Sequence, residues 1–379
     1  MLCKFCKQKP VYIEDGYAHD FCGKWCASAS RNGRMPLRGS PDPSRPIPNG
    51  GICRLAGCSR PVHVNADGTL SEWCSHRHRV KAVAAGKAEA CLFCRQLPKA
   101  MVNGKRSDFC STRCGRDAID DAPIMLAVDK SHTAYENGNW FVIIFSTRLF
   151  TVLFEVTSQF RFQWLHGTPL PRIVKIWKLF GTRELTDRFM KYKLEVERRI
   201  EQLGGNSRRR WHGTTRACDL GDNDRATEFC QDQECCVCSI IRTSFDKAQF
   251  GARTNFGRFG AGIYTSATSS KVRSLLVFIE YASLPIPQET LQANDYVATK
   301  RSTYKAMLLC EVIMGNAVKL TVNHPHLTSP PRGYDSVVGE PGDDLNYDES
   351  IVYRNDAIRP LFLVIYDDGP PESEARAER

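Results

Sequence analysis

Residues 211–222 read WHGTTRACDLGD: one histidine between a tryptophan and a glycine, then two threonines and a cysteine, directly after Arg208, Arg209 and Arg210. A His-Gly pair is common, and alone His212 reads as a polar residue capping a strand end. Its surroundings decide the matter. On the N-terminal side, ELTDRFMKYKLEVERRIEQLGG (184–205) sets Leu185, Phe189, Tyr192, Val196, Ile200 and Leu203 three or four residues apart. That spacing predicts one amphipathic helix, entered near Thr182 and closed by Gly204 and Gly205. On the C-terminal side, KAMLLCEVIM (305–314), AVKLTV (317–322), SIVY (350–353) and LFLVIY (361–366) are apolar runs of strand length. A helix first and strands later, without regular alternation, predicts an α+β fold rather than a doubly wound sheet.

The chain has 379 residues, of which 42% are hydrophobic, enough for two or three domains and at least one sizeable core. The opening MLCKFCKQKP goes straight into cysteines rather than from a basic region into the apolar region of a secretory signal, so a reducing, intracellular location is expected, with the nucleus favoured over the cytoplasm. In such a compartment the 17 cysteines are metal ligands before they are disulfides. The longest apolar run, WFVIIFSTRLFTVLF (140–154), contains Arg148 and is shorter than the roughly 20 residues of a membrane helix, so no membrane partner is expected. Charge is uneven: residues 1–116 hold 20 Lys and Arg against 8 Asp and Glu, while the remainder holds 32 against 34. The basic end suits nucleic acid or another polyanion.

That basic end is built from a repeat. Cys3, Cys6, Cys22 and Cys26 follow C-x2-C-x15-C-x3-C; Cys53, Cys58, Cys74 and His78 follow C-x4-C-x15-C-x3-H; Cys91, Cys94, Cys110 and Cys114 return to the first spacing. The flanks DFCGKWC, EWCSHRH and DFCSTRC each set an acidic and an aromatic residue before the third ligand. Two ligands from a tight knuckle and two from a distant element suit a tetrahedral ion, and thiolates with an occasional imidazole suit zinc. Histidine in place of the twelfth cysteine is compatible with a metal site and not with a disulfide. The closing FCSTRC resembles small FCS-type zinc fingers. The expected division is zinc modules at 1–28, 52–82 and 88–116, a flexible linker at 29–51, a second linker with an atypical apolar segment at 117–169, and a disordered tail at 369–379. Binding of nucleic acid, binding of protein and a purely structural role all remain open for the modules.

Three later stretches, WHGTT (211–215), RFGAGIYTSATSSK (258–271) and DESIVYRNDAIRPLFLV (348–364), are each weak alone. In this order they resemble the catalytic domain of poly(ADP-ribose) polymerases and related ADP-ribosyltransferases, over about Ile173 to Tyr366. RIVKIWKLF (172–180) looks like that family's lead-in and MLLCEVIMGNAVKL (307–320) like its late core strands, while TTRACDLGD and CSIIRTSF look most like a fungal branch. The resemblance implies a split β-sandwich with flanking helices over 170–368 and an NAD-dependent transfer of ADP-ribose, poly- or mono-, to protein acceptors. It carries the family's His-Tyr-Glu set onto His212, Tyr264 and Glu349. His212 would then bond an adenosine ribose hydroxyl, Gly213 would offer its backbone to the nicotinamide carboxamide, and Tyr264 would stack on the nicotinamide ring. Thr214 and Gly262 fall in the same NAD-binding set, and Glu349 would hold the nicotinamide ribose and assist the acceptor. These residue types fit the chemistry, since departure of nicotinamide leaves an oxocarbenium-like ribose that a carboxylate stabilises. Between the histidine and the tyrosine, Cys218, Cys230, Cys235 and Cys238 predict a fourth zinc site holding the loop over the NAD pocket, with Cys236 as an alternative ligand.

The pattern breaks after Lys271. The family continues Ser-Lys-Ser-x-x-Tyr, whose serine bonds nicotinamide and whose tyrosine stacks on its other face; here Lys271 is followed by Val272, Arg273, Ser274 and Leu275. Leaving out 272–292 joins Lys271 to ANDYVATKRSTY and makes Tyr296 the stacking residue, with Ala293 in the serine's place. A retained intron of 21 codons would account for that block, and the segment near 138–157 is open to the same hypothesis. If the block is genuine, the alternative is a zinc-finger scaffold with a degenerate, inactive transferase domain. Asp348 competes with Glu349 as the functional carboxylate.

Overall fold

The computed structural model describes residues 51–64, 70–102, 105–128, 156–165, 169–249, 257–270, 301–342, 345 and 348–367, with 3–4, 11, 13–14, 17–18, 20–21 and 30. The chain divides into two compact units, 1–79 and 80–379. The first holds a short antiparallel pair, β1 (Ile13–Glu14) with β2 (Tyr17–Ala18), and the second cysteine repeat. That repeat ends on α1 (His76–Ala84), whose first turn carries His78.

One backbone bond recurs at the same place in all three repeats. The residue after the first cysteine donates its amide to the carbonyl of the acidic residue in the flank: Lys4 to Asp20 at 2.8 Å, Arg54 to Glu72 at 3.1 Å, Leu92 to Asp108 at 2.9 Å. In the first two repeats the same pair also forms an ion pair, Lys4 with Asp20 at 2.8 Å and Arg54 with Glu72 at 2.7 Å. Leu92 cannot do so. Asp108 instead faces Lys99 at 3.8 Å and Lys178 of the large sheet at 2.5 Å.

The third repeat is therefore part of the larger unit. Its own strands are β3 (Met101–Val102) and β4 (Lys105–Arg106), and its closing helix is α2 (Thr112–Asp120), capped by the Ser111 side chain accepting from the Cys114 amide. The chain then runs directly into β5 (Ile124–Ala127), which pairs antiparallel with β6 (Arg172–Phe180). Phe109 meets Phe180 with ring centroids 5.4 Å apart, and the Arg95 guanidinium donates to the Ala127 carbonyl. The sequence expectation of a linker at 117–169 thus differs from what is found: its start completes α2 and builds the sheet's edge strand. Its later part holds α3 (Val156–Phe162), with Val156 and Phe160 fully buried. Four residues of β5 are too few for a periodic signal, and α3 is only seven residues long. Residues 138–155 lie outside the described residues, as do 272–292 and Tyr296.

The large sheet has the order β5-β6-β13-β9-β7 and is antiparallel throughout. Its remaining strands are β7 (Ser207–Gly213), β9 (Lys305–Ile313) and β13 (Ile358–Asp367). β9 explains why KAMLLCEVIM shows no alternation: both its faces are covered. Ala306, Leu308, Cys310 and Val312 face a core with Phe189, Tyr192 and Val196 of α4 (Arg183–Ile200), while Met307 and Leu309 pack with Phe160, Trp164 and Trp211. Thr182 caps α4 as its spacing suggests, its hydroxyl accepting from the Leu185 amide at 3.4 Å. The helix stops at Ile200, and Gly204 and Gly205, at φ 76° and 60°, turn the chain into β7. Leu203, counted in the apolar stripe, is consequently left exposed.

A second sheet has the order β10-β11-β12-β8, from β8 (Ile263–Thr265), β10 (Ala317–Leu320), β11 (Ser336–Gly339) and β12 (Glu349–Val352). Its β10–β11 pair is parallel and the others antiparallel. The fold is α+β, with one antiparallel and one mixed sheet. Asp108→Asn tests the docking of the third repeat. Losing its charge-assisted bond to Lys178 should lower stability by about 1–3 kcal/mol in a urea titration, and an unchanged midpoint would show the contact to be idle.

Candidate functional site

Among the described residues the two sheets share one backbone bridge. Trp211 of β7 and Ser266, just past β8, exchange both bonds, N to O at 2.8 Å and 2.9 Å. Trp211 turns its ring into the core, where its indole N–H donates to Gln163 at 2.6 Å. Because side chains alternate along a strand, His212 points to the opposite face, where its ring meets Phe245 edge-on at 4.9 Å and 89°.

His212 Nδ1 lies 2.8 Å from the Tyr264 carbonyl oxygen. A carbonyl only accepts, so Nδ1 carries the proton and Nε2 of the neutral ring is an acceptor. Burial pushes the imidazole below its ordinary value of 6.5, against the bond from Tyr264, which favours the charged form. His212 is thus a neutral acceptor at pH 7.

Tyr264 sits opposite Ile351 on β12, and two residues along the same face of that strand is Glu349. The Tyr264 hydroxyl closes a local turn, donating to the Gly260 carbonyl at 2.8 Å and accepting from the Phe259 amide at 2.9 Å. Burial pushes this phenol well above the usual tyrosine range; the Phe259 amide pulls the other way and the nearby Glu349 carboxylate adds to the rise. Its hydroxyl is committed, so what Tyr264 can offer a ligand is its ring face. Asp348 is committed too. Its carboxylate accepts from the Ser266 hydroxyl at 3.1 Å, the Ala267 amide at 2.8 Å and the Thr268 hydroxyl at 3.2 Å. It closes the turn after β8, which leaves Glu349 as the carboxylate beside Tyr264.

Two glycines make this packing possible. A Cβ on Gly262 would stand 2.3 Å from Ile351 Cγ2, and one on Gly260, at φ +70°, would stand 1.9 Å from the Leu327 carbonyl oxygen. Gly213 ends β7 opposite Met307, and Thr214 follows it outside the ladder.

Three of the four predicted metal sets come together. Cys53, Cys58, Cys74 and His78 form one; Cys91, Cys94, Cys110 and Cys114 a second; Cys218, Cys230, Cys235 and Cys238 a third, each with ligand atoms within 4.8 Å of one another. Cys236 is outside the third set. Of the first repeat Cys3 is buried, while Cys6, Cys22 and Cys26 lie outside the described residues. A tetrahedral zinc with Zn–S bonds of about 2.3 Å separates two sulphurs by about 3.8 Å, against about 2.05 Å in a disulfide. Here Cys58 and Cys74 are 3.8 Å apart, Cys94 and Cys110 3.7 Å, and Cys218 3.6 Å from both Cys235 and Cys238. His78 faces its set through Nδ1, 3.5 Å from Cys53 and 3.3 Å from Cys74. Although burial opposes ionisation, the Leu55 and Cys74 amides and His78 hold the Cys53 thiol at about 6. The Gln96 and Leu97 amides likewise hold Cys94 at about 7, while burial pushes Cys74, Cys110 and Cys114 up. These clusters can hold metal ions.

Sequence reasoning missed Phe245, the Trp211–Ser266 bridge and Arg216. Arg216 is buried, and its guanidinium donates to the Leu220 and Tyr304 carbonyls, both at 2.7 Å, and to Ser302 at 2.9 Å. An arginine in a cysteine loop gives no hint that two of its partners, Ser302 and Tyr304, lie more than eighty residues away. Among the described residues no helix is long and apolar enough to cross a membrane.

Gly262→Ala should disturb β8 against β12 and lower stability by about 1–3 kcal/mol, whereas Gly51→Ala, with nothing within 4 Å of its Cβ, should leave the denaturation midpoint unchanged. Equal midpoints for the two variants would show that the close approach at Gly262 is dispensable. No family model matches the sequence, so the reading of this site rests on its residues and their geometry.

Proposed function

We propose that the chain is an NAD-dependent protein ADP-ribosyltransferase, poly- or mono-, that releases nicotinamide and passes ADP-ribose to protein acceptors. The observation that carries this reading is the meeting of His212, Tyr264 and Glu349 across β7, β8 and β12. The two sheets joined at one bridge then correspond to the split β-sandwich of that family.

In this reading NAD is a substrate. Nε2 of His212, fixed as an acceptor, takes the hydrogen of an adenosine ribose hydroxyl, and the Gly213 backbone holds the nicotinamide carboxamide. Thr214 and Gly262 complete the binding set. Tyr264 supplies an aromatic face for the flat pyridinium, and Tyr296, outside the described residues, supplies the other. The bond between ribose carbon and nicotinamide nitrogen breaks with its electron pair going to nitrogen. The carbon left behind carries positive charge, which Glu349 stabilises while the acceptor's nucleophile forms the new bond.

Zinc is the ion that the donor sets of the second and third repeats suit, four thiolates in one and three thiolates with an imidazole in the other. Their basic surroundings fit a polyanionic partner such as nucleic acid, and the nucleus as the compartment. The break after Lys271 favours the second reading, a zinc-binding scaffold whose transferase domain no longer turns over.

Incubation with labelled NAD separates the two, using the full chain and a version lacking 272–292. Label should reach protein, and Glu349→Gln should reduce transfer by about 100- to 1,000-fold with NAD affinity nearly unchanged. No transfer from either version sinks the enzymatic reading. The pH dependence is a separate check. The folded imidazole's pKa lies below 6.5, so His212 stays neutral on descending through that value, and KM for NAD should be flat from pH 8 to 6.5 and rise only at lower pH. An inflection at 6.5 or above would contradict the role given to Nε2.

A further inference from the structure

Residues 214–235 contain neither helix nor strand, a stretch long enough to need its own means of order. Three cysteines buried in the core, Cys218, Cys235 and Cys238, and the half-buried Cys230 converge there. Their sulphurs are spaced for one tetrahedral ion and are too far apart for disulfides.

Helix α5 (Cys236–Thr243) grows directly from this cluster, with Cys235 as its N-cap and Cys238 in its first turn. At its other end Ser244 adopts φ 64°, ψ −169°, a region almost reserved for glycine, so the packing around it must hold it there. That turn sends Phe245 into the same core as the three buried cysteines and sets its ring against His212 at 4.9 Å. A second tie runs the other way. The Val237 amide donates to the Thr215 carbonyl at 3.0 Å and the Thr215 hydroxyl donates to the Glu234 carbonyl at 2.9 Å, so the strand end just past His212 is stitched to the residues around the ligands.

We propose that Cys218, Cys230, Cys235 and Cys238 bind one zinc ion, and that this ion, acting through α5, makes Phe245 a positioning residue for the imidazole of His212. The metal takes no part in chemistry; it fixes one end of a short helix whose other end fixes the ring. The NAD reading gives His212 its purpose, but the metal site and the positioning stand apart from it.

The test uses the full chain with Cys230→Ala, Cys230→His and Phe245→Leu. Cys230 is chosen because it is the least buried ligand, and histidine because His78 already serves in the second repeat. Zinc is counted by atomic emission after dialysis into metal-free buffer. The His212 imidazole is followed by nitrogen NMR, its signals assigned by their loss in His212→Gln. Cys230→Ala should carry one zinc fewer than the parent and move the His212 signals, and Cys230→His should restore both. Phe245→Leu should keep the full zinc complement and still move those signals. Where the parent binds NAD, its Kd should rise about tenfold in Cys230→Ala and Phe245→Leu.

An equal zinc count in Cys230→Ala overturns the metal site, and unmoved His212 signals in Phe245→Leu overturn the positioning. If Cys230→Ala does not fold, the parent's own count decides the metal site: four zinc ions, one for each set of four ligands, support it, and three or fewer overturn it. A parent that binds no NAD removes the transferase reading and leaves the zinc count and the imidazole signals to decide this one.

Discussion

Two backbone hydrogen bonds between Trp211 and Ser266 hold one sheet to the other, and the arrangement of the candidate site follows from them. They bring the end of β7 beside β8, so a histidine on one sheet can bond the carbonyl of a tyrosine on the other. They are protected by what surrounds them. The Trp211 ring is fully buried against Phe160, and the chain after Ser266 is closed by Asp348 and tied through Ser269 and Ser270 to the α3 region. A site assembled from two sheets in this way is only as rigid as its seam. Here the seam is braced by a tryptophan on one side and an aspartate on the other.

The parts of this architecture that were readable from sequence are those that obey a local period or a ligand spacing. α4 announces itself by its apolar stripe and threonine cap, and β9 and β13 by their length and apolar character. The cysteine sets are legible because a tetrahedral ion restricts spacing tightly. β5, β8 and β11 are three or four residues long and owe their existence to the strands beside them, so no local pattern marks them. The helix end near Leu203 was misjudged for a related reason: the stripe continues in sequence after the backbone has already turned.

For the candidate site, the resemblance singled out His212, Tyr264 and Glu349, and the coordinates add what surrounds each of them. Asp348 and Glu349 are adjacent and chemically alike, yet the first is consumed by three hydrogen bonds in a turn and the second lies beside an aromatic ring. The Tyr264 hydroxyl is bonded at both its donor and acceptor sides, closing a turn with Phe259 and Gly260. Phe245 carries no sequence signal at all, since its place against His212 follows from the unusual backbone at the residue before it.

The three cysteine repeats share a backbone bond but not a fate. In two of them the residue after the first cysteine is basic and neutralises the acidic flank from within the repeat. In the third that residue is Leu92, and the charge of Asp108 is met by Lys99 of the same repeat and, more closely, by Lys178 of the adjoining sheet. The third copy is thereby joined to the neighbouring sheet through its acidic flank, together with Phe109 on Phe180 and Arg95 on the Ala127 carbonyl, and none of these contacts uses a metal ligand.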